Sequence, residues 1–280
     1  MKKTAIAILI AVLVVVIGGT LLLAGMSAVH FDFSKLDRTE YVTNTYDFES
    51  PVERVDMKGH TADLELLAAE DGVCRVISTE SEREKYSVSL ENGTLSIRPL
   101  TNWKAWSLFS FKSPKIRVYL PAGSYESLKT DVGTGDITAD KALTFGTVDV
   151  KISTGDLTLN GVQADSLSAH GSTGDIRLSD MTPGTVDVSV STGKIVLVNV
   201  VCSGDLRCES TTGDIRLTDV DGANIYLKAS TGSITGTIRT PKTFSAHAST
   251  GSVHVPNTTG EGRCEAHTST GDIKLSVSGN

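Results

Sequence analysis

TGDI at 134–137, STGDL at 153–157, STGDI at 172–176, STGKI at 191–195, TTGDI at 211–215, STGSI at 230–234, STGSV at 249–253 and STGDI at 269–273 are one phrase written eight times. Its glycines, Gly135, Gly155, Gly174, Gly193, Gly213, Gly232, Gly251 and Gly271, recur at spacings of 20, 19, 19, 20, 19, 19 and 20 residues. A unit this short cannot bury an apolar face alone, so it must stack on its neighbours. The stretch TVDVSVSTGKIVLVNV, Thr185 to Val200, shows how. Val186, Val188 and Val190 alternate with polar residues before the turn, and Ile195 and Leu197 alternate after it. Period two on both sides predicts two short strands, each with one buried face.

The other units keep the same columns. Five residues before the Ser or Thr that opens the turn stand Val148, Leu167, Val186, Leu206, Ile225, Phe244 and Cys264. Three before it stand Val150, Ala169, Val188, Cys208, Leu227, Ala246 and Ala266. The turn needs glycine for φ > 0, and the preceding hydroxyl is suited to bonding nearby amides. The expected architecture is an all-β parallel β-helix or β-solenoid of 19–20-residue coils, each with two strands of four to six residues and stacked in chain order. The opposite bend, with Asn160-Gly161, Pro183-Gly184 and Asp221-Gly222, reads as a looser surface edge.

The repeats also align Asp136, Asp156, Asp175, Asp214 and Asp272 just after the turn glycine. Stacked about 5 Å apart, they repel unless a cation or a basic neighbour offsets them. Arg177, Arg216 and Lys274 stand two residues further on. A hydrated edge whose carboxylates accept backbone N–H groups explains the row, and calcium binding is the sharper reading. The nonapeptide of calcium-binding rolls and the EF-hand ligand spacing are both missing.

Outward from the repeats, 51–128 reads as degenerate coils forming an N-terminal cap, and 129–280 as the regular solenoid. His60-Thr61-Ala62-Asp63 replaces the turn phrase, Leu64 and Leu66 take inward positions, and Glu91-Asn92-Gly93 reads as a hairpin turn. The charged insert Glu80–Lys85 reads as a loop, and KIRVYLPA at 115–122 as a strand ended by Pro121. Residues 101–115, TNWKAWSLFSFKSPK, fit no single alternation. They read as a loop or short helix over the core, with Trp103, Trp106, Phe109 and Phe111 as the candidate partner-binding or membrane-interface patch.

Lys2 and Lys3 precede an apolar run from Ala5 to Met26, long enough to cross a bilayer. Residues 1–28 thus read as a cytoplasmic tip and transmembrane signal anchor, with a cleaved peptide ending near Ala28 as the alternative. Residues 29–50 read as a juxtamembrane linker with some strand content. The lysines place the remainder outside the plasma membrane as a single-pass, extracytoplasmic domain. Without Lys2 and Lys3, the 26 Lys and Arg of the chain fall to 24, against 33 Asp and Glu. So acidic an ectodomain is ill suited to nucleic acid.

Cys74, Cys202, Cys208 and Cys264 do not form a staple pattern and are expected mostly as free, partly buried thiols. Hydrolase, metalloprotease, P-loop and dinucleotide motifs are missing, so no enzyme, cofactor or metal is expected. His247 and His267, with Glu265 nearby, fall in equivalent outward positions of adjacent coils, where two histidines and a carboxylate could in principle hold zinc.

The STGDI and STGDL turns, with IRVYLPAGSYESLKTDVGTGDITAD at 116–140, resemble the bacterial putative adhesin family of cell-envelope proteins. The resemblance covers about residues 50–275. It implies a right-handed solenoid on the outer side of the membrane and supplies no catalytic or ligand-binding residue. The expected role is a non-catalytic, membrane-anchored scaffold, sensor or adhesin module that binds an envelope protein or glycan. The alternatives are a polysaccharide-active β-helix enzyme, and a self-associating structural protein forming a weak homo-oligomer through a poorly covered terminal coil.

Overall fold

The computed structural model describes Thr20 and residues 40–81, 84–100, 114–139 and 143–278. The expected anchor, the first part of the linker and the Trp103–Phe111 patch lie outside these residues. Among the described residues, no helix is long and apolar enough to cross a membrane. The strands below all belong to one of two compact units of the chain, comprising Tyr41–Trp103 and Ser113–Asn280.

The strands of the N-terminal part are β1 (Tyr41–Phe48), β2 (Arg54–Thr61), β3 (Asp63–Ala68), β4 (Cys74–Ser81), β5 (Tyr86–Glu91), β6 (Thr94–Pro99) and β7 (Lys115–Leu120). The regular coils follow as β8 (Gly123–Thr134) with β9 (Ile137–Ala139), β10 (Leu143–Thr154) with β11 (Leu157–Asn160), β12 (Gln163–Thr173) with β13 (Ile176–Met181), and β14 (Thr185–Thr192) with β15 (Ile195–Val200). After them come β16 (Leu206–Thr212) with β17 (Ile215–Val220), β18 (Ile225–Thr231) with β19 (Ile234–Ile238), β20 (Thr243–Thr250) with β21 (Val253–His254), and β22 (Arg263–Thr270) with β23 (Ile273–Val277). Strands before the glycine turn reach 12 residues, longer than the four to six expected, because pairing starts at Leu143 opposite Gly123 and runs on to the turn threonines.

Each coil gives one strand to each of two sheets. The first sheet runs β1-β4-β7-β3-β9-β11-β13-β15-β17-β19-β23-β21, and the second runs β20-β22-β18-β16-β14-β12-β10-β8-β2-β6-β5. The regular coils pair in parallel with the predicted register: Val150 opposes Ala169, then Val188, Cys208, Leu227 and Ala266 in turn. All six are 2% exposed or less. The alternating aliphatics therefore fuse into one continuous core, and burial of that column is the main stabilising term.

The two ends depart from simple stacking. At the N-terminal end, β2 and β3 form a coil in which Thr61 pairs with Thr134, as the His60–Asp63 phrase predicts. The chain then leaves outward through β4 and β5, returns through β6 and β7, and only afterwards lays β8 beside β2. β1, β4 and β5 join antiparallel, so the second half of the expected linker supplies an edge strand. The Asn92-Gly93 turn has φ 49° and 72°, which matches a type I′ hairpin.

The charged insert is not simply a loop. Glu80 and Ser81 lie in β4 and are buried, and Glu84 accepts the Thr61 N–H at 2.8 Å and the Tyr86 hydroxyl at 3.2 Å. The local pattern hid this because charged side chains rarely face a core without partners.

At the C-terminal end the stacking order is inverted. β20 and β21 lie outermost, while β22 and β23 fill the slot between them and β18 and β19. The coil at 263–277 is therefore internal, correcting the expected chain-order stacking, and Cys208 and Cys264 are two strand steps apart. The physical reason lies in Pro256, just after the two-residue β21. Proline has no amide to give a further neighbour, so that coil suits an edge. Val253, expected inward, is 39% exposed there. A buried ion pair pins the crossover, with Lys242 Nζ 3.0 Å from Asp221 Oδ1.

Candidate functional site

The glycine turns form the first candidate edge. From Gly135 to Gly271 the eight turn glycines have φ between 128° and 153°, a region closed to residues with a side chain. A Cβ on Gly193 would stand 1.9 Å from the Gly174 carbonyl oxygen of the neighbouring coil. The N–H groups of Gly135, Gly155, Gly174, Gly193, Gly213, Gly232 and Gly271 each donate to a threonine carbonyl on a neighbouring coil, as Gly155 does to Thr173 at 2.9 Å.

The aspartate row completes this frame. Oδ1 of Asp136, Asp156 and Asp175 accepts the backbone N–H of Asp156, Asp175 and Lys194, each at 2.8 Å. Asp214 accepts from Ser233 at 3.0 Å, Asp272 from Ser252 at 2.9 Å, and Asp63 from Asp136 at 3.0 Å. The carboxylates thus bond the next coil in place of their own turn. The Ser233 N–H, then Arg216 at 3.1 Å, hold the Asp214 carboxyl below the usual range. Lys274 at 2.8 Å and then Ser252 hold Asp272 well below it. Among the described residues, no group of three His, Cys, Asp or Glu is placed to hold a metal ion.

The opposite bend is more ordered than its variable sequence suggests. Asp180, Asn199 and Asp219 all have φ of 53–56°, the left-handed region that Asn and Asp tolerate best among side-chain-bearing residues. Asn199 Nδ2 donates to Asp180 at 2.8 Å, and Arg239 Nη2 donates to both Asn199 and Asp219 at 2.7 and 2.6 Å. The signal was present in the sequence as Asx residues 19 and 20 positions apart.

The outer face of the second sheet carries the most developed surface chemistry. Asp187, Arg207, Tyr226 and Glu265 share one outward row, and Ser189, Glu209, Lys228, His267 and His247 share the next. The Arg207 guanidinium lies 5.1 Å from the centre of the Tyr226 ring and 3.2 Å from Glu209. A cation on an aromatic face beside paired charges makes a flat amphipathic platform, suited to a sugar ring or a peptide edge. Tyr226 escapes motif inspection, although its place between inward Ile225 and Leu227 marks it as outward. His247 and His267 do sit on paired strands, 6.3 Å apart, and Glu265 meets Arg263 at 3.4 Å.

All four cysteines are free and buried. Burial pushes the Cys74 thiol up to about 11 and those of Cys202 and Cys264 to about 12, and it raises Cys208 as well. These thiols stay protonated at neutral pH and are poor nucleophiles. A groove of about 290 Å³ is lined by Cys74, Phe48, Pro51, Pro121 and Tyr125.

Residues 52–280 match the model of the family described as Toastrack DUF4097. No curated protein matches the chain. Among solved structures, a putative adhesin from Bacteroides fragilis superposes with a TM-score of 0.54 at 15% identity, covering 85% of this chain and 97% of that one. A putative lipid binding protein and a putative adhesin, both from Parabacteroides distasonis, give TM-scores of 0.46 and 0.40 at 16% and 13% identity. They cover 84% and 85% of this chain and 97% and 98% of their own. The likeness to the Bacteroides fragilis protein shows a shared fold alone.

Proposed function

This chain belongs to the Toastrack DUF4097 family, and we propose that it is a non-catalytic binding or scaffolding module of the cell envelope. The apolar segment at 5–26 would hold it in the plasma membrane, with the solenoid outside, where it engages protein or glycan. The Bacteroides fragilis protein of the same fold, called a putative adhesin, fits that class. One observation carries the reading: the outward platform of Arg207 on Tyr226 is held in register by a turn frame that uses the aspartates structurally. The same fact argues against a polysaccharide-cleaving reading, which needs carboxylates facing a bound sugar.

The test is binding of the purified full chain, in mild detergent, to an array of bacterial envelope glycans and to immobilised envelope proteins. Saturable binding is expected, falling about tenfold in Tyr226→Ala, a loss near 1.4 kcal/mol, with the melting temperature unchanged. Equal binding by both proteins, or cleavage of an arrayed polysaccharide, would defeat the proposal.

A further inference from the structure

Natural proteins protect open sheet edges with charges, proline within the strand, or bulges. Here the outermost strands at the C-terminal end have none of these along β20. β20 pairs with β22 on one side and, among the described residues, with no strand on the other. From Thr243 to Gly260, TFSAHASTGSVHVPNTTG contains no Asp, Glu, Lys or Arg. Phe244, Ala246, Ala248 and Val255 are only partly buried, although they belong to the core column.

The inverted stacking is what creates this edge. Stacked in chain order, the last coil would present Arg263, Glu265, Asp272 and Lys274, an ordinary protected edge. Instead the chain skips a slot, anchors the crossover with the buried Lys242–Asp221 pair, and places the neutral coil outermost. The opposite end is different, since β1 contains Asp47, and β5 follows Lys85 and ends in Glu91.

From this asymmetry we propose that the coil Thr243–Val255 is the self-association face of the protein, pairing end to end with the same coil of a second copy. A neutral edge meets its own copy without like-charge repulsion, and unlike ends would set a neutral edge against a charged one. A twofold axis normal to the second sheet continues that sheet into its partner, with β20 antiparallel to the second β20, while the two β21 strands, each stopped by Pro256, only abut. Because inward residues must meet inward residues, that axis falls on a residue, with Ala246 facing Ala246 and Phe244 facing Ala248. Such a contact is isologous and closed, so it stops at a dimer. The end face is about 26 Å wide, from eight residues at ~3.3 Å each, and two sheets thick. It buries roughly 1,000 Å² in all, the lower range of a specific interface, so the dimer forms at micromolar concentration. In that arrangement the two β1 strands lie at opposite ends, about 100 Å apart, from eleven strand steps of ~4.8 Å in each copy. This association is independent of the glycan or protein binding proposed above.

The experiment is sedimentation velocity of the full chain in mild detergent across micromolar concentrations, beside Ser245→Lys. Ser245 is exposed and outward, so the lysine leaves the core intact while placing like charges across the axis. A concentration-dependent dimer is expected for the natural chain, with the variant monomeric throughout. A short bis-maleimide spans the diagonal between the two copies of position 247, so His247→Cys should cross-link as a dimer with it, and Val42→Cys, on the exposed face of β1, should not. A natural chain that stays monomeric, a Ser245→Lys variant that dimerises equally well, or equal cross-linking from Val42→Cys would each overturn the proposal.

Discussion

The two ends of the stack solve the same problem in opposite ways. At the N-terminal end, antiparallel strands are added outside the parallel coils, and the surface there is ionic: Arg75 meets Asp47 at 2.7 Å and Asp71 at 3.0 Å. At the C-terminal end the coils simply stop, with a short neutral pair of strands and one buried ion pair behind it. Stacked repeats derive their stability from both neighbours, so a coil with one neighbour is held by about half the interface. The end that resists fraying and the end left open to pairing are therefore different ends.

The sharpest way to break this comparison is to insert a side chain at a turn. Gly193→Val, in the middle, combines φ 146° with a carbonyl 1.9 Å from the new Cβ, and about 5 kcal/mol of destabilisation is expected. Gly251→Val meets a carbonyl at 2.0 Å with φ 137°, yet only the terminal coil should loosen. Denaturant melts should show a large loss of midpoint for the first and a small one for the second. Equal losses would mean that the terminal coil is as tightly integrated as the middle.

Next in size is the ion-pair contrast. Lys242→Ala leaves Asp221 buried without its partner and should cost about 3 kcal/mol. Arg75→Ala opens a solvent-exposed pair whose side chains are 31% and 52% exposed, and should barely move the melting temperature. Comparable melting shifts for both variants would remove the crossover from its pinning role.

The smallest expected effect is a difference in the sign of the pH response. Burial holds the Glu84 carboxyl above its ordinary value, so its contribution is complete below about pH 4.3 and lost as pH rises through the folded value. Lys274 and the Ser252 N–H hold Asp272 below its ordinary value, so its contribution is complete above about pH 4 and lost as pH falls. Melting temperature measured against pH for Glu84→Gln and Asp272→Asn should therefore diverge from the natural chain in opposite directions. Slopes of the same sign would show that one of the two environments is misassigned.

The turn phrase made most of the fold legible, because φ > 0 and period-two alternation are local properties that the residues themselves declare. Val150, Val188 and Leu227 stack as their spacing implies. Coil order was not legible, and the reason is the repetition itself. STGSI, STGSV and STGDI present nearly identical turns, so nothing local decides whether the coil at 225–238 takes the coil at 243–254 or the one at 263–277 as its neighbour. Pro256 decides that only once edges are considered. The Asp180, Asn199 and Asp219 ladder was overlooked because its residue types vary between Asp and Asn, whereas the glycine row does not. Tyr226 needed the register of five strands before its place beside Arg207 could be recognised.

Interchangeable turns also make length a discrete variable of this molecule. Thr173 and Thr192 occupy the same position on adjacent strands, so joining Thr173 directly to Gly193 would remove one whole layer and leave every remaining turn with a matching counterpart. The span between the sealed end and the open one would shorten by ~4.8 Å, a single layer. Duplication of the same nineteen residues would lengthen it by as much. Reach can thus be reset in increments, like links in a chain gauge, without redesign of either terminus.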